Sequence, residues 1–298
     1  MTSAVSPPII FSQPIADLVR QRFSCRAYSP EPIGAEARQT LEAAIGAATS
    51  GPFGTPLRFR LAAASTEDQA ALKGLGTYGF IRGATGFIIG AAPRSEYYAE
   101  DFGYRLEQII LLATDLGLGT CWLGGTFTQS SFARKISRAR GEIIPAVASI
   151  GRIADPERAK RGIIRRLAGS AGRVSWRGLF YDSSLGNPLP RETAKLYSDP
   201  LEMVRWAPSA SNKQPWRILR AGNDWHFYLR RTPGYRGGFF KRFLNLADLQ
   251  RVDMGIAMCH FELAARELGL RGEWIDREPA VEKPDGLTEY IVSWTGGG

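Results

Sequence analysis

Histidine and cysteine are scarce in this chain of 298 residues, which has two of the first and three of the second. Cys25, Cys121 and Cys259 lie far apart, form no C-x-x-C pair and are odd in number. That inventory excludes a disulfide framework and a structural zinc site. His226 and His260 cannot build a multi-histidine metal site, and neither stands near a serine or cysteine in a nucleophile motif. They read as surface histidines or satisfied core histidines, and no metal is expected. Long apolar runs are missing too. The longest, around Ile109 to Ala113, is far short of the ~18 residues that a membrane crossing needs. The N-terminus, MTSAVSPPIIFSQP, has no basic region followed by an apolar stretch, so no secretory signal is expected and the cytoplasm is the default compartment.

What is present is enough to build a core, with 44% hydrophobic and 11% aromatic residues. Length sets a prior of two domains, or of one domain repeated. The net charge of +9 is localised. Residues 132 to 177 carry Arg134, Lys135, Arg138, Arg140, Arg152, Arg158, Lys160, Arg161, Arg165, Arg166, Arg173 and Arg177 against Glu142, Asp155 and Glu157. That window holds the whole excess, and the rest of the chain is neutral. Such a belt suits nucleic acid, a phosphorylated cofactor, or a solvated face. Only Phe132 and Trp176 lie near its ends, so the interleaved aromatics of a single-strand binder are missing. No helix-turn-helix or zinc-finger spacing accompanies it, and no nucleic-acid partner is expected.

The chain repeats itself. DFGYRLEQIILLATDLGLGTCWL (101–123) and DMGIAMCHFELAARELGLRGEWI (253–275) align without gaps and are identical at eight positions, among them Asp101/Asp253, Gly117/Gly269 and Trp122/Trp274. Leu106, Ile109, Ile110, Ala113 and Leu116 recur at helical spacing, and Gly117 stands where a C′ glycine stops a helix. Each copy therefore reads as a long apolar helix followed by a turn. TSGPFGTPLRFRLAAA (49–64) and PSASNKQPWRILRAG (208–222) form a second pair, each running from a small polar loop through Pro56 or Pro215 into an alternating strand. The division expected from this duplication gives halves of 1–178 and 179–298.

Within the first half, helices are predicted near Pro14–Phe23 and Ala35–Ala48, with strands at 57–64, 86–92 and 145–153. Helices and strands mix without strict alternation, so the fold class is α+β, with antiparallel-rich sheets flanked by helices. GLGTYG (74–79) matches the dinucleotide-binding fingerprint, but a helical pattern precedes it and a strand follows it. That context is inverted, and a Rossmann site is rejected.

Arg20, Arg22, Ser24 and Arg26 cluster at the end of the first helix, a composition suited to phosphate because guanidinium makes bidentate, charge-assisted bonds to its oxygens. In PSASNKQPW, small residues let the backbone approach a ligand, and Asn212 and Gln214 supply donors and acceptors. These residues carry a resemblance. RQRFSCRAYSPEPI, LGLGTCWLGG (116–125), PAVASIGRI with the basic stretch after it, and WAPSASNKQPW (206–216) resemble segments of the FMN-dependent nitroreductase family. The Q-P-W motif follows the L-G-L-G helix here, whereas the family has it before. Two nitroreductase-like halves fused in one chain, a pseudo-dimer like the family's single-chain branch, account for that displacement.

The resemblance implies one FMN per chain. Half one would contribute Arg22, Ser24, Arg26, the backbone at Gly124 and Gly125, and Arg173; half two would contribute Pro208, Ser209, Ala210, Ser211 and Asn212. Arg22, Ser24 and Arg173 would hold the phosphate and ribityl end, Arg26 the polar edge of the ring, and the glycines the region of the reactive nitrogen. No side chain is expected to act as acid or base, because the cofactor carries the chemistry. The mirror-image site is degraded, since Pro52-Phe53-Gly54-Thr55 replaces Ser211-Asn212-Lys213-Gln214, and Asp276-Arg277 replaces Gly124-Gly125. The implied activity is hydride transfer from NAD(P)H through FMN to a nitroaromatic, quinone or similar small acceptor; the alternative is a flavin-binding protein without efficient turnover. A pseudo-dimer contains the interface that other members share between subunits, so a monomer is compatible with this reading.

Overall fold

The computed structural model describes residues 9–63, 77, 79–125, 127–157, 159, 172–235 and 247–297. The chain divides into two compact units, Met1–Ala171 and Gly172–Gly298. In the first, the described helices are α1 (Ile15–Gln21), α2 (Ala35–Ala47), α3 (Tyr98–Asp115) and α4 (Gln129–Lys135). Its strands are β1 (Arg58–Ala63), β2 (Gly86–Pro93), β3 (Gly119–Leu123), β4 (Glu142–Ile143) and β5 (Val147–Gly151). The sheet runs β1-β2-β5-β3 with antiparallel neighbours, and β4 pairs with β2. Helix α3 is buried from Ala99 to Ala113. Phe102, Leu106, Ile109 and Ile110 pack with Leu41 and Ile45 of α2 and with Ile88 and Ile150 of the sheet, while Phe87, Ile89 and Val147 meet Phe132 of α4. The sheet is thus apolar on both faces, and the burial of β2 is continuous rather than alternating.

In the second unit the described strands are β6 (Phe180–Asp182), β7 (Trp216–Ala221), β8 (Asp224–Arg230), β9 (Arg271–Ile275) and β10 (Thr288–Gly297). Its α-helices are α5 (Ser198–Trp206) and α6 (Leu249–Glu267). The order is β6-β7-β8-β10-β9, antiparallel except for β6 against β7. Asp248 caps α6, its carboxylate accepting from the N–H groups of Gln250 and Arg251. Phe261 of α6 lies edge-on to Phe227 and Trp294, at 5.3 and 5.9 Å between ring centres.

The duplication is visible in the topology. The path β7-β8-β10-β9 repeats β1-β2-β5-β3 in the same chain order, with α6 in the place of α3. Both long helices end alike: Leu118 N–H donates to Ala113 O and Gly117 N–H to Thr114 O, as Leu270 donates to Ala265 O and Gly269 to Arg266 O. Gly117 and Gly269 sit at φ +73° and +75°, the left-handed conformation that this cap requires and that glycine adopts without a Cβ clash.

Three details differ from the sequence-based expectations. The segments after the LGL turns are strands, β3 and β9, and not merely turns. The units divide after Ala171, ahead of the expected boundary at 178, because 172–179 bonds into the second sheet: Gln214 accepts from Val174 N–H, and Leu179 accepts from Ile218 N–H. FYDSSLG (180–186), the stretch expected from the repeat to stand for the arginine cluster with Asp182 in place of an arginine, is not its counterpart in the fold. It forms the parallel edge strand β6, and Asp182 takes a two-pronged bond from Arg220 at 2.9 and 3.1 Å. GLGTYG lies outside the described residues except for Thr77 and Gly79.

Candidate functional site

The residues expected to hold a cofactor gather in two groups, one in each unit. In the first unit, the chain leaving α1 runs beside β3, with Ser24 bridged to Thr120 and Cys25 N–H donating to Thr120 O at 2.8 Å. This pairing sets Arg22, Ser24 and Arg26 around Cys121. Burial pushes the pKa of this thiol up against the pull of the Arg26 and Arg22 charges, and its Sγ donates to Trp122 O. Ser24 and Arg26 are exposed. Arg22 is buried, 3.6 Å from the carboxylate of Glu107, which is fully buried and accepts the indole N–H of Trp122 at 2.7 Å. Arg22 Nε is a buried nitrogen with no hydrogen-bond partner among the described residues. Gly124 and Gly125 follow β3 directly, and a Cβ on Gly125 would point into open space.

In the second unit, the loop from Ala207 to Pro215 is held from three sides. Arg173 donates to the carbonyls of Ala207 and Trp206 at 2.6 and 2.8 Å and lies 5.8 Å over the Trp206 ring. Gln214, buried, accepts from Val174 N–H and donates to Gly172 O and Asn212 O. Asp253 of α6 accepts from Ala210 N–H at 3.0 Å. Ser209 Oγ takes the N–H of Gln214 at 2.8 Å, closing the turn. Ser211, Asn212 and Gln214 sit at φ +51°, +55° and +47°. Left-handed backbone on three non-glycine residues is strained, and such strain clusters at ligand clamps. Pro208, Ser209 and Ala210 are half-buried, whereas Ser211, Asn212 and Lys213 are exposed.

Sequence reasoning left several residues without a role. Asp101 and Asp253 were visible only as identities of the repeat; each anchors the loop that precedes the first hairpin of its unit. Burial raises the pKa of Asp101 against the pull of its bonds to Phe53 and Thr55, and raises that of Asp253 much further. Cys121, read only for its spacing, is the centre of the arginine group. Gln214, expected to offer polar atoms to a ligand, instead pins the loop. The histidines are core residues: His226 Nδ1 bonds Ser293 Oγ at 2.6 Å, and His260 Nδ1 bonds Met203 O at 3.0 Å. Among the described residues no group of His, Cys, Asp or Glu is placed to hold a metal, and no helix is long and apolar enough to cross a membrane. Of the basic belt, Arg152 pairs with Glu31 and Arg138 donates to Glu142 O; Arg158 and residues 160–171 lie outside the described residues.

Comparison with known proteins gives the family. A family model described as "Putative TM nitroreductase" matches residues 14–265. The chain is similar to a solved structure described as a putative nitroreductase from Thermotoga maritima, at 19% identity and a TM-score of 0.58, over 97% of this chain and 96% of that one. A nitroreductase in complex with FMN from Desulfovibrio desulfuricans matches 48% of this chain and 88% of its own, at 24% identity and a TM-score of 0.39. A nitroreductase family protein from Clostridium novyi matches 48% and 87%, at 18% identity and 0.38. No curated protein matches the sequence. With the family model spanning both units of the duplicated fold, the chain belongs to this nitroreductase family.

Proposed function

We propose that the chain is an FMN-dependent NAD(P)H oxidoreductase of nitroreductase type, acting on a nitroaromatic, quinone or similar acceptor and holding one FMN per chain. The observation that carries this reading is the gathering of Arg22, Ser24 and Arg26 on one side of β3, immediately before Gly124 and Gly125. Two cations and a hydroxyl suit a phosphate, and glycines without a Cβ suit the close approach of a flat ring. The fit is supported by the exposure of Ser24 and Arg26 and by the open space that a Cβ at Gly125 would enter, while Arg22 is held against the Glu107 carboxylate at 3.6 Å.

In this proposal Arg22 and Ser24 bind the phosphate end, Arg26 sets a positive charge at the polar edge of the ring, and the backbone of Gly124 and Gly125 lies along it. In the second unit, the loop from Pro208 to Asn212 is the other segment proposed to bind the cofactor. Arg173 already donates to two carbonyls of that loop, so it acts by fixing the loop as well as by its charge. When bound, FMN supplies the hydride relay between a reduced nicotinamide and the acceptor. The first unit's own loop carries Phe53 stacked on Tyr97 at 4.3 Å where the second has exposed polar residues, which supports a single site.

The test is anaerobic addition of NADH or NADPH to the FMN-loaded protein. Bleaching of the flavin bands, reversed by a nitroaromatic or a quinone, is the expected result. A yellow protein that neither nucleotide bleaches would contradict the enzyme reading and leave the binding-only alternative.

A further inference from the structure

The second unit contains a cavity of about 630 Å³ that none of the proposed flavin residues line. It opens where β7 turns into β8 and where α6 enters β9, and Thr193 to Tyr197 form its outer wall. The corresponding corner of the first unit, at Gly117 to Gly119, holds a cavity of only 200 Å³ that Phe23 helps to line. The larger cavity lies away from the second unit's counterparts of the glycine pair. Asp276-Arg277, which replace the glycine pair, leave β9 at its far end, about 17 Å from Arg271 at ~3.3 Å per residue.

The walls are chemically one-sided. Half-buried Tyr197 forms the aromatic floor, backed by the buried ring of Trp225 at 5.0 Å and by Phe261, on which it stacks at 5.6 Å. A Cβ on Gly296 would collide with the Tyr197 hydroxyl, so a glycine is what lets Tyr197 sit there. Leu196, at 66% exposure, and Leu270 add apolar surface at the rim. Lys195 and Arg271 stand at the mouth, exposed and without an ion pair among the described residues. Arg220, the third cation, is already neutralised by Asp182. No carboxylate lines the cavity. Lys195 carries φ +52° and ψ −125°, a conformation that a non-glycine residue rarely adopts and that persists where surroundings enforce it.

We propose that this cavity is a second ligand site, separate from the flavin, for a small aromatic carboxylate whose ring lies between Tyr197 and Leu196 and whose carboxylate meets Lys195 and Arg271. The volume lies within the usual range for small-molecule sites. An exposed leucine beside an aromatic floor favours a flat apolar body, and two unpaired cations with no acid nearby select its charge.

The test uses 2-naphthoate as the probe and its uncharged amide as the control, titrated into the full-length protein and followed by saturation-transfer NMR and tryptophan fluorescence. Naphthoate is expected to bind saturably, and the amide at least about tenfold more weakly. Lys195→Gln with Arg271→Gln, both exposed, should bring naphthoate down to the affinity of the amide without changing flavin content or the unfolding midpoint. Leu196→Ala should weaken both probes by a similar few-fold factor. No saturable binding, equal binding of acid and amide, or unchanged naphthoate affinity in the double variant would each overturn the proposal. So would a naphthoate titration that perturbs the flavin spectrum equally in wild type and double variant, since the probe would then be reporting the flavin site.

Discussion

The loops that precede β1 and β7 hang from the same residue of the repeat, an aspartate in the first turns of the long helix, but they hang from it differently. Asp101 uses both oxygens, accepting from Phe53 N–H at 2.9 Å and from Thr55 N–H at 2.8 Å. The loop then closes on itself, with Phe53 stacked on Tyr97 and the one left-handed residue a glycine, Gly54. Asp253 uses one oxygen, on Ala210 N–H, and its Oδ2 is a buried acceptor with no partner among the described residues. Its loop keeps three strained non-glycine residues and exposed polar side chains. The first loop has relaxed into structure. The second is held in a conformation that its own residues do not favour, as a binding loop is.

The largest expected effect breaks that comparison at its anchor. Asp101→Ala leaves two backbone N–H groups without an acceptor and should destabilise the protein by about 3 kcal/mol, against about 1 kcal/mol for Asp253→Ala. Urea unfolding of both variants measures the difference, and equal losses would erase the distinction between the loops. Asparagine sharpens it. At 101 the amide must turn an N–H toward another N–H, which costs about 2 kcal/mol, whereas at 253 the amide can occupy the unpartnered position and, at about pH 4 where the carboxyl is protonated, the change should stay within about 0.5 kcal/mol.

Next come the residues that hold the second loop and the phosphate. Arg173→Ala removes two charged donors from the carbonyls of Trp206 and Ala207, and Arg22→Ala removes a buried guanidinium from the proposed phosphate end. Each should weaken FMN retention by roughly 1.5–3 kcal/mol, read by flavin release on dilution. Unchanged retention in both would contradict the assignment.

A smaller effect depends on pH. Burial raises the Asp253 pKa well above its ordinary value of 3.8, so the folded state binds this proton more tightly than the unfolded one. That contribution is complete below the unfolded pKa and is lost as pH rises through the folded one. Wild type should therefore lose stability relative to Asp253→Asn as pH is raised from about 4 toward neutrality, measured by urea midpoints across the range. A constant difference would place the buried carboxyl in an environment unlike the one described. The smallest expected change is Ser211→Gly, which relieves left-handed strain and should stabilise by about 0.5–1 kcal/mol in urea unfolding, with no gain in FMN affinity.

Much of this architecture was legible in the residues. Asp101/Asp253, the two LGL turns and Trp122/Trp274 announced the repeat, and the shared strand order follows from it. What was hidden depends on contacts at long range. Trp122 gives its indole N–H to Glu107, but Trp274 gives its own to Glu262, a turn further along the helix, so the partner does not survive the alignment. The strands β3 and β9 were hidden because five residues each, GTCWL and RGEWI, are too few and too mixed to show an alternating pattern. Cys121 carried no signal in its spacing, since its place at the centre of the arginine group is set by the bridge from Ser24 to Thr120. Gln214 looked like a ligand residue because an amide offers donors and acceptors alike; only the fold shows that Gly172, Val174 and Asn212 already take them.

The central claim is one flavin site per chain in a duplicated fold whose halves have become unlike. Its most direct measurement is the FMN content of the purified and FMN-reconstituted protein, taken as flavin released on denaturation per mole of chain. One FMN per chain, lost in Arg22→Ala, is the predicted result. A protein that stays colourless after reconstitution, or one that binds two FMN per chain, would contradict it.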